Sequence, residues 1–257
     1  MASDTTILYR QCKSCFDRSE GWTPGGARCN NGAHCPGMPA ERSRLFSGIP
    51  TGDYSEIYSA ARIKEMTRGD MLYLEGDRVQ QVWLVTSGCV KISQLGPSGI
   101  EAIMRVGVPG DVLDAVGLFS AGTHRTTAQP FRSCRALVWD AATFRGLVAR
   151  YPVLYQNMVQ ILGDQISELE ERFREVATER VAPRVALQIV RLLDKLGRPV
   201  DGAIEINLSR QELAEMTGTT LFTVSRLFSS WEERGWVRPR REGVVICDVE
   251  ALRAIAE

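Results

Sequence analysis

Residues 210–228 read RQELAEMTGTTLFTVSRLF. Two short amphipathic segments meet here at a glycine. Ala214 is small enough for two helices to cross closely, and Gly218 supplies the positive φ that a sharp turn requires. Val224 and Leu227 then anchor a second helix on a core. Ser209, with Glu212 three residues on, is a capping box that fixes the start of the first helix. The pattern predicts a helix-turn-helix, a motif whose second helix lies in the major groove of DNA. Candidate contacts with double-stranded DNA are Ser209, Arg210 and Gln211 at the first helix, and Thr219, Thr220, Phe222, Thr223, Ser225, Arg226 and Ser229 at the second. Arg226 can donate two parallel hydrogen bonds to guanine O6 and N7. The hydroxyls of Thr220, Thr223 and Ser225 suit phosphates or base edges.

Downstream, GWVRPRREGVVICD (235–248) reads as a small β-wing in which Arg238, Arg240 and Arg241 face the DNA backbone. From Glu179 to Glu257 twelve basic residues meet twelve acidic ones, so the basic surface must be local. Upstream, APRVALQIVRLLDKLG (182–197) has a proline near its start and a glycine at its end, as helices favour. Residues 180–257 therefore form a winged helix-turn-helix domain.

Residues 153–179 predict one long helix. Leu154, Met158, Leu162, Ile166, Leu169, Phe173 and Val176 recur, with Ile161, at spacings of three and four, while Glu168, Glu170, Glu171, Arg172, Arg174 and Glu175 fill much of the rest. A stripe of this length needs a partner to cover it, so the seven apolar positions are candidate contacts of a homodimer. The competing reading is a core helix of a monomer.

Residues 45–152 predict short strands broken by glycine turns, in GDMLYLEGD (69–77), QVWLVTSGCVKISQLGPSG (81–99), EAIMRVGVPGD (101–111) and RALVWD (135–140). No helical crossovers separate them, which favours a barrel or roll over a parallel sheet. The fold class is α+β: an N-terminal β-roll, a long dimerisation helix and a C-terminal winged helix-turn-helix.

Residues 1–44 are different. Four of the seven cysteines, Cys12, Cys15, Cys29 and Cys35, fall among glycine, proline and asparagine. The chain of 257 residues has no run of 18 apolar residues and no signal-peptide-like start, so no membrane span and a cytoplasmic location are expected. Thiols stay reduced there, and clustered ones serve more often as metal ligands than as staples. Cys12-x-x-Cys15 and the Cys29–Cys35 pair give four thiolates, which suit a [4Fe–4S] cluster or a zinc ion. His34 is a further zinc donor type, and a tail with redox-active thiols is the reading without metal. Cys89, Cys134 and Cys247 lie in strand-like runs and read as small buried apolar residues. No nucleophile–base pair or phosphate-cradling glycine loop is visible, so the chain is not expected to be an enzyme.

The order of parts resembles the CRP/FNR family of bacterial transcription regulators over 45–257. The resemblance rests on LSRQELAEMTGTTLFTVSRLFSSWEERGWV with the roll segments LYLEGD, VWLVTSGCVKI and GLFSAGTHRTTA. It implies a DNA-binding dimer on palindromic sites, with RNA polymerase as a further partner. It places the guanine-reading arginine at Arg226 and the preceding half-site residue at Ser225. Phe222 replaces a base-reading glutamate, and a phenyl ring can only pack on a thymine methyl. In cyclic-AMP-binding members an arginine and a hydroxyl hold the phosphate, which the resemblance places at Arg125 and Thr126 as an effector pocket. The ribose-binding glutamate falls on Ala115, with Asp114 beside it, so cyclic AMP is not expected. FNR-type members carry an oxygen- or nitric-oxide-sensitive [4Fe–4S] cluster on N-terminal cysteines plus a distal one in the roll. Here the four N-terminal cysteines form two separate pairs, which makes a wholly local ligand set the reading.

Overall fold

Apolar and β-branched residues dominate 81–95, and that segment forms the longest strand of the fold. The computed structural model describes residues 43–113, 115–119 and 122–256, and all structural statements concern those. Single 3-10 turns at Arg44–Phe46 and Thr51–Asp53 lead into α1 (Tyr54–Ser59). Strands β1 (Arg62–Thr67), β2 (Gln81–Leu95), β3 (Glu101–Gly107), β4 (Val112–Leu113) and β5 (Thr127–Asp140) then build an antiparallel roll. Their order is β1-β5-β2-β3, with β4 on β2, which leaves β3 at an edge. Trp83 stands opposite Val138 and Leu84 opposite Leu137, and the β2–β5 register slips at Val85/Ser87 and Gly88/Val90. Gly88 has φ +74°, and a Cβ there would lie 2.0 Å from Ser133 O, so the irregularity requires glycine.

One strand expectation changes, and one strand forms where none is expected. Residues 69–77 form turns with a single isolated bridge between Tyr73 and Ala128, because Gly69 and Gly76 take φ +103° and +90° and Asp70 Oδ2 accepts from Thr67 N at 2.7 Å. The strand lies just before, at β1, where RIKEMT buries only Met66 and so shows little alternation.

The chain continues through α2 (Ala141–Arg150) into α3 (Val153–Thr178). The apolar stripe of α3 is not one seam. Leu154 and Met158 are 0% and 4% exposed and pack with Leu45 and Phe46 in the protomer's own core, so these two are corrected from dimer contacts to core residues. Asn157 reinforces the same junction by donating to Leu45 O and Ser47 O, both at 2.8 Å. Further along, Ile166, Leu169, Phe173 and Val176 are exposed, Phe173 by 75%. Leu162 is half-buried between the two zones.

At the end of α3 the chain turns sharply into α4 (Val181–Leu196). Arg184 Nη1 holds this corner, donating to Val176 O and Glu179 O at 3.3 Å each, where the last helical carbonyls lack partners. There follow β6 (Arg198–Val200), β7 (Ala203–Ile206), α5 (Arg210–Thr217), α6 (Leu221–Glu233), β8 (Val237–Arg240), β9 (Gly243–Ile246) and α7 (Val249–Ala256). The four strands pair in the order β6-β7-β9-β8. Val185, Ile189, Leu213, Val224 and Phe228 form the core of this domain, and it is continuous with Ile103, Val106 and Phe131 of the roll. The winged domain is thus seated on its own roll.

Cys134 is buried, Cys89 is half-buried against the junction of the two domains, and Cys247 is exposed just past β9. The last corrects the reading of Cys247 as a buried residue. No helix among the described residues is long and apolar enough to cross a membrane.

Candidate nucleic-acid interface

Local sequence sets the helix-turn-helix in three steps. Ser209 Oγ accepts from Glu212 N at 3.2 Å and Glu212 Oε2 accepts from Ser209 N at 2.7 Å, which completes the capping box. Gly218, at φ +60°, ends α5 in the left-handed conformation. Thr220 Oγ1 then accepts from Thr223 N at 3.2 Å and starts α6.

The inner face of α6 carries Val224, Phe228 and Trp231, all buried. The outer face brings together Phe222, Ser225, Arg226 and Ser229, which line one shallow concavity with Ser230 and Glu233. Their spacing of three and four residues is that of one helical face. Phe222 is 80% exposed, so its ring adds nothing to this core and is available to a partner. Thr220 and Thr223 share a hydrogen bond of 2.9 Å between their hydroxyls, and the Ser209 hydroxyl also donates to Glu212 Oε2 at 2.8 Å. Ser209 and Thr220 act first as caps, and Thr223 is tied to the second of them. Arg210 is half-buried, Gln211 is exposed with its amide on Glu215 Oε1 at 2.8 Å, and Thr219 is half-buried at the turn.

Arg238 and Arg240 on β8 and Arg241 in the wing turn are exposed. Glu242, next in the turn, reaches back to the roll, with Oε1 3.5 Å from Arg68 Nη1 and Oε2 3.2 Å from Arg132 Nη2. The wing turn therefore points cations outward and a carboxylate inward.

A polar face of α3 holds the winged domain. Glu168 pairs with Lys195 at 3.0 Å, Glu171 with Arg191 at 3.2 Å, and buried Glu175 grips Arg191 with both oxygens. Burial opposes the Arg191 charge, but hydrogen bonding and the charges of Glu175, Glu171 and Glu168 outweigh it and raise its pKa. Arg172 lies on the same face and donates to Ile103 O at 3.2 Å, to Met216 O at 2.7 Å and to Met104 O. Burial pushes its pKa down, against the opposing charge of Glu168. The sequence marks Glu168, Glu171, Arg172 and Glu175 only as the polar residues beside the apolar stripe. Backbone acceptors leave no trace in a sequence, and the Glu242 partners lie 174 and 110 residues away in the chain.

In the roll, Arg125 is exposed, Thr126 is half-buried, and Gln94 Nε2 donates to Arg125 O at 2.7 Å. Ala115 is 3% exposed within the apolar cluster that includes Leu154 and Met158. His124 is buried and stacks on Tyr73 at 3.9 Å between ring centres. Cys12, Cys15, Cys29, Cys35, His34 and Asp114 lie outside the described residues. Among the described residues no group of three or more His, Cys, Asp or Glu side chains is placed to hold a metal.

Two family models match the chain. The Crp-like helix-turn-helix domain matches residues 183–255 and the cyclic nucleotide-binding domain matches residues 63–151. The CRP-like cAMP-activated global transcriptional regulator of Mycobacterium tuberculosis is 24% identical over 213 residues, covering 82% of this chain and 95% of that protein. The nitrogen fixation regulation protein FixK of Bradyrhizobium diazoefficiens is 24% identical over 230 residues, covering 88% and 95%. The solved structure of FixK2 from Bradyrhizobium japonicum shares the fold, with a TM-score of 0.67 at 20% identity over 77% of this chain and 98% of that one. Two family models in series and relatives matched along nearly their whole length agree with the order of roll, long helix and wing, and the chain belongs to the CRP/FNR family of DNA-binding transcription regulators.

Proposed function

We propose that the chain works as a homodimer on palindromic DNA, in the cytoplasm and in concert with RNA polymerase, and that a redox- or gas-sensitive iron–sulfur cluster gates it. The observation that carries the dimer is the second half of α3, where Ile166, Leu169, Phe173 and Val176 stay exposed at heptad spacing on a helix whose other face is already clamped. Burying each such side chain is worth about 1.5–3 kcal/mol, so a second copy is the natural cover. Two-fold symmetry then presents two α6 helices to half-sites about one helical turn apart, in the range of 34–36 Å. In each half-site Arg226 reads a guanine and Phe222 packs on a thymine methyl.

For the gate, four thiolates on Cys12, Cys15, Cys29 and Cys35 form a soft donor set that suits iron and sulfide. Burial raises the pKa of both roll thiols, Cys89 and Cys134, so without a metal neither is a ready thiolate, and the reading puts the donor set on the N-terminal four. A bound cluster would supply reactivity toward oxygen or nitric oxide. The chain's own part is transmission. Cys35 lies eight residues before Ser43, whose Oγ donates to Gly110 O at 2.6 Å, and Arg44 pairs with Asp164 of α3 at 2.5 Å. With Asn157 on Leu45 O and Ser47 O, these contacts tie the base of the cysteine segment to the dimer helix.

The match of the roll to the cyclic nucleotide-binding domain favours a second reading, in which zinc sits on the same cysteines and a small molecule enters the roll near Arg125 and Thr126. The reading does not take cyclic AMP as that molecule, because the family resemblance puts the ribose acceptor at Ala115, whose buried methyl group accepts no hydrogen bond. Selection from a random DNA pool under anaerobic conditions, with sedimentation of the same sample, tests the proposal. A two-fold symmetric consensus bound by a dimer is expected. A monomer, or a consensus without symmetry, would overturn it.

A further inference from the structure

We infer that Arg172 is the positioning residue that sets the angle of the helix-turn-helix relative to the dimer helix. The inference rests on the reading of α6 as the DNA interface of a dimer. Arg172 projects from α3 into the crevice where α3, α4, α5 and β3 meet, beside Arg105, Gln188 and Arg191. Its guanidinium serves three main-chain carbonyls on two other elements: Ile103 O and Met104 O on β3, and Met216 O on α5. A bond to a side chain fixes a rotamer, whereas a bond to a carbonyl fixes the backbone itself. The planar fork of arginine, with five donors in one rigid geometry, suits three acceptors at once.

The positions of these acceptors suit such a donor. β3 is an edge strand, so part of its hydrogen-bonding row faces away from the sheet. Met216 lies in the last turn of α5, where carbonyls have no intrahelical partner and the helix dipole favours a cation. Met216 stands two residues before Gly218, the left-handed residue from which α6 is aimed. Seating Met216 therefore seats the pivot of the recognition helix. On the other side, Arg172 is followed directly by Phe173, the most exposed member of the dimer stripe. One residue of α3 thus faces the partner while its neighbour holds the DNA-binding domain, and a rotation of α3 in the dimer moves both together.

A positioning role differs from a structural one in what it controls. Loss of stability lowers binding to every DNA alike. Loss of positioning relaxes the demand for one distance between half-sites. The test is a series of palindromes whose half-site separation is varied one base pair at a time, with a single half-site as control, measured by fluorescence anisotropy on the full-length chain. Arg172→Ala and Arg172→Lys are compared with wild type, each checked for dimerisation and thermal melting. Wild type is expected to prefer one separation. Arg172→Ala should keep its half-site sequence preference and its dimer, but lose spacing discrimination by about tenfold or more, the order expected when hydrogen bonds from a charged donor are removed. Arg172→Lys, with a point charge in place of the fork, should fall between the two. If both variants keep the wild-type spacing preference, or if neither folds as a dimer, Arg172 is not a positioning residue. If wild type itself prefers no separation, the reading as a dimeric DNA binder fails first and takes the inference with it.

Discussion

Arg191 on α4 and Glu175 on α3 form a two-pronged ion pair, with Nη1 2.8 Å from Oε2 and the second prong between Nη2 and Oε1. Glu175 is 3% exposed, whereas Glu171 in the same cluster faces solvent. Removing the buried partner leaves Arg191 with the solvent-facing Glu171 at 3.2 Å, so Glu175→Ala should lower stability by about 3 kcal/mol, the low end for a broken buried pair. Glu171→Ala, at a solvent-facing pair, should cost about 1 kcal/mol or less. Urea unfolding of both variants measures the difference. Equal losses would mean that Arg191 is held by the whole acidic face and not by Glu175.

The exposed part of the α3 stripe gives a second expectation. Phe173→Glu sets a carboxylate from each protomer into an apolar seam, at a cost of several kcal/mol, on the order of 2–7. Leu154→Ala cuts into the protomer's own core and should lower stability by about 2–5 kcal/mol without separating the subunits. Sedimentation and thermal melting distinguish the two. A dimeric Phe173→Glu variant with normal DNA binding would place the interface elsewhere.

Arg226 and Arg240 should fail in different ways. Arg226 lies on the outer face of α6 with Phe222 and Ser225, the face proposed to read base edges. Arg226→Ala should cost about 1–3 kcal/mol on the best site and relax discrimination at one base pair. Arg240, exposed on the wing, should matter equally for all sequences, and its loss should flatten the salt dependence by about one phosphate contact. Affinities for a set of single-base variants at two salt concentrations separate these patterns. A uniform loss from Arg226→Ala would mean that it touches phosphate alone.

The helix-turn-helix was legible because its signals are local. Ser209 with Glu212, Gly218 and the inward Val224 all act within a few residues of where they stand. The α3 stripe was legible as a face but not in its cover. Periodicity groups Leu154 with Phe173, while only the fold shows that the first lies in one cluster with Phe46 and that the second is left exposed among the described residues. β1 escaped notice because an exposed strand that buries one side chain in six does not alternate. The roles of Arg172 and Glu242 left no sequence signal, since their partners come from segments far away in the chain.

Cys134 makes the stability depend on alkaline pH. Burial, with smaller contributions from Cys89 and Asp70, pushes its thiol up from 9.0 to about 11. Between these values the unfolded chain releases a proton that the folded chain keeps. Stability from this group is therefore complete below pH 9 and is lost as pH rises through about 11. The loss is on the order of 2–3 kcal/mol. Cys134→Ala should abolish that part of the slope in urea unfolding between pH 8.5 and about 11, whatever its effect at neutral pH. An unchanged slope would assign the alkaline loss to other groups. In the native protein at pH 8, mass mapping after a thiol reagent should find exposed Cys247 labelled well before Cys134.

The cysteine segment carries the last expectation. Four thiolates in two close pairs favour a metal, while the two roll cysteines are kept protonated by burial. Metal binding to a segment so poor in apolar residues would contribute much of its folding free energy. The contacts of Ser43, Arg44 and Asn157 then give that folding a route to α3. Protein purified without oxygen should be brown, with broad absorption near about 400 nm and about four irons per chain. Cys29→Ser should lose the colour and the response of DNA binding to oxygen, while Cys89→Ser keeps both. Asn157→Ala separates sensing from transmission: the colour should remain, and the effect of oxygen on DNA binding should shrink. Stoichiometric zinc without iron, or unchanged DNA binding after removal of residues 1–40, would leave the cysteines a structural metal site and return the search for the signal to the roll.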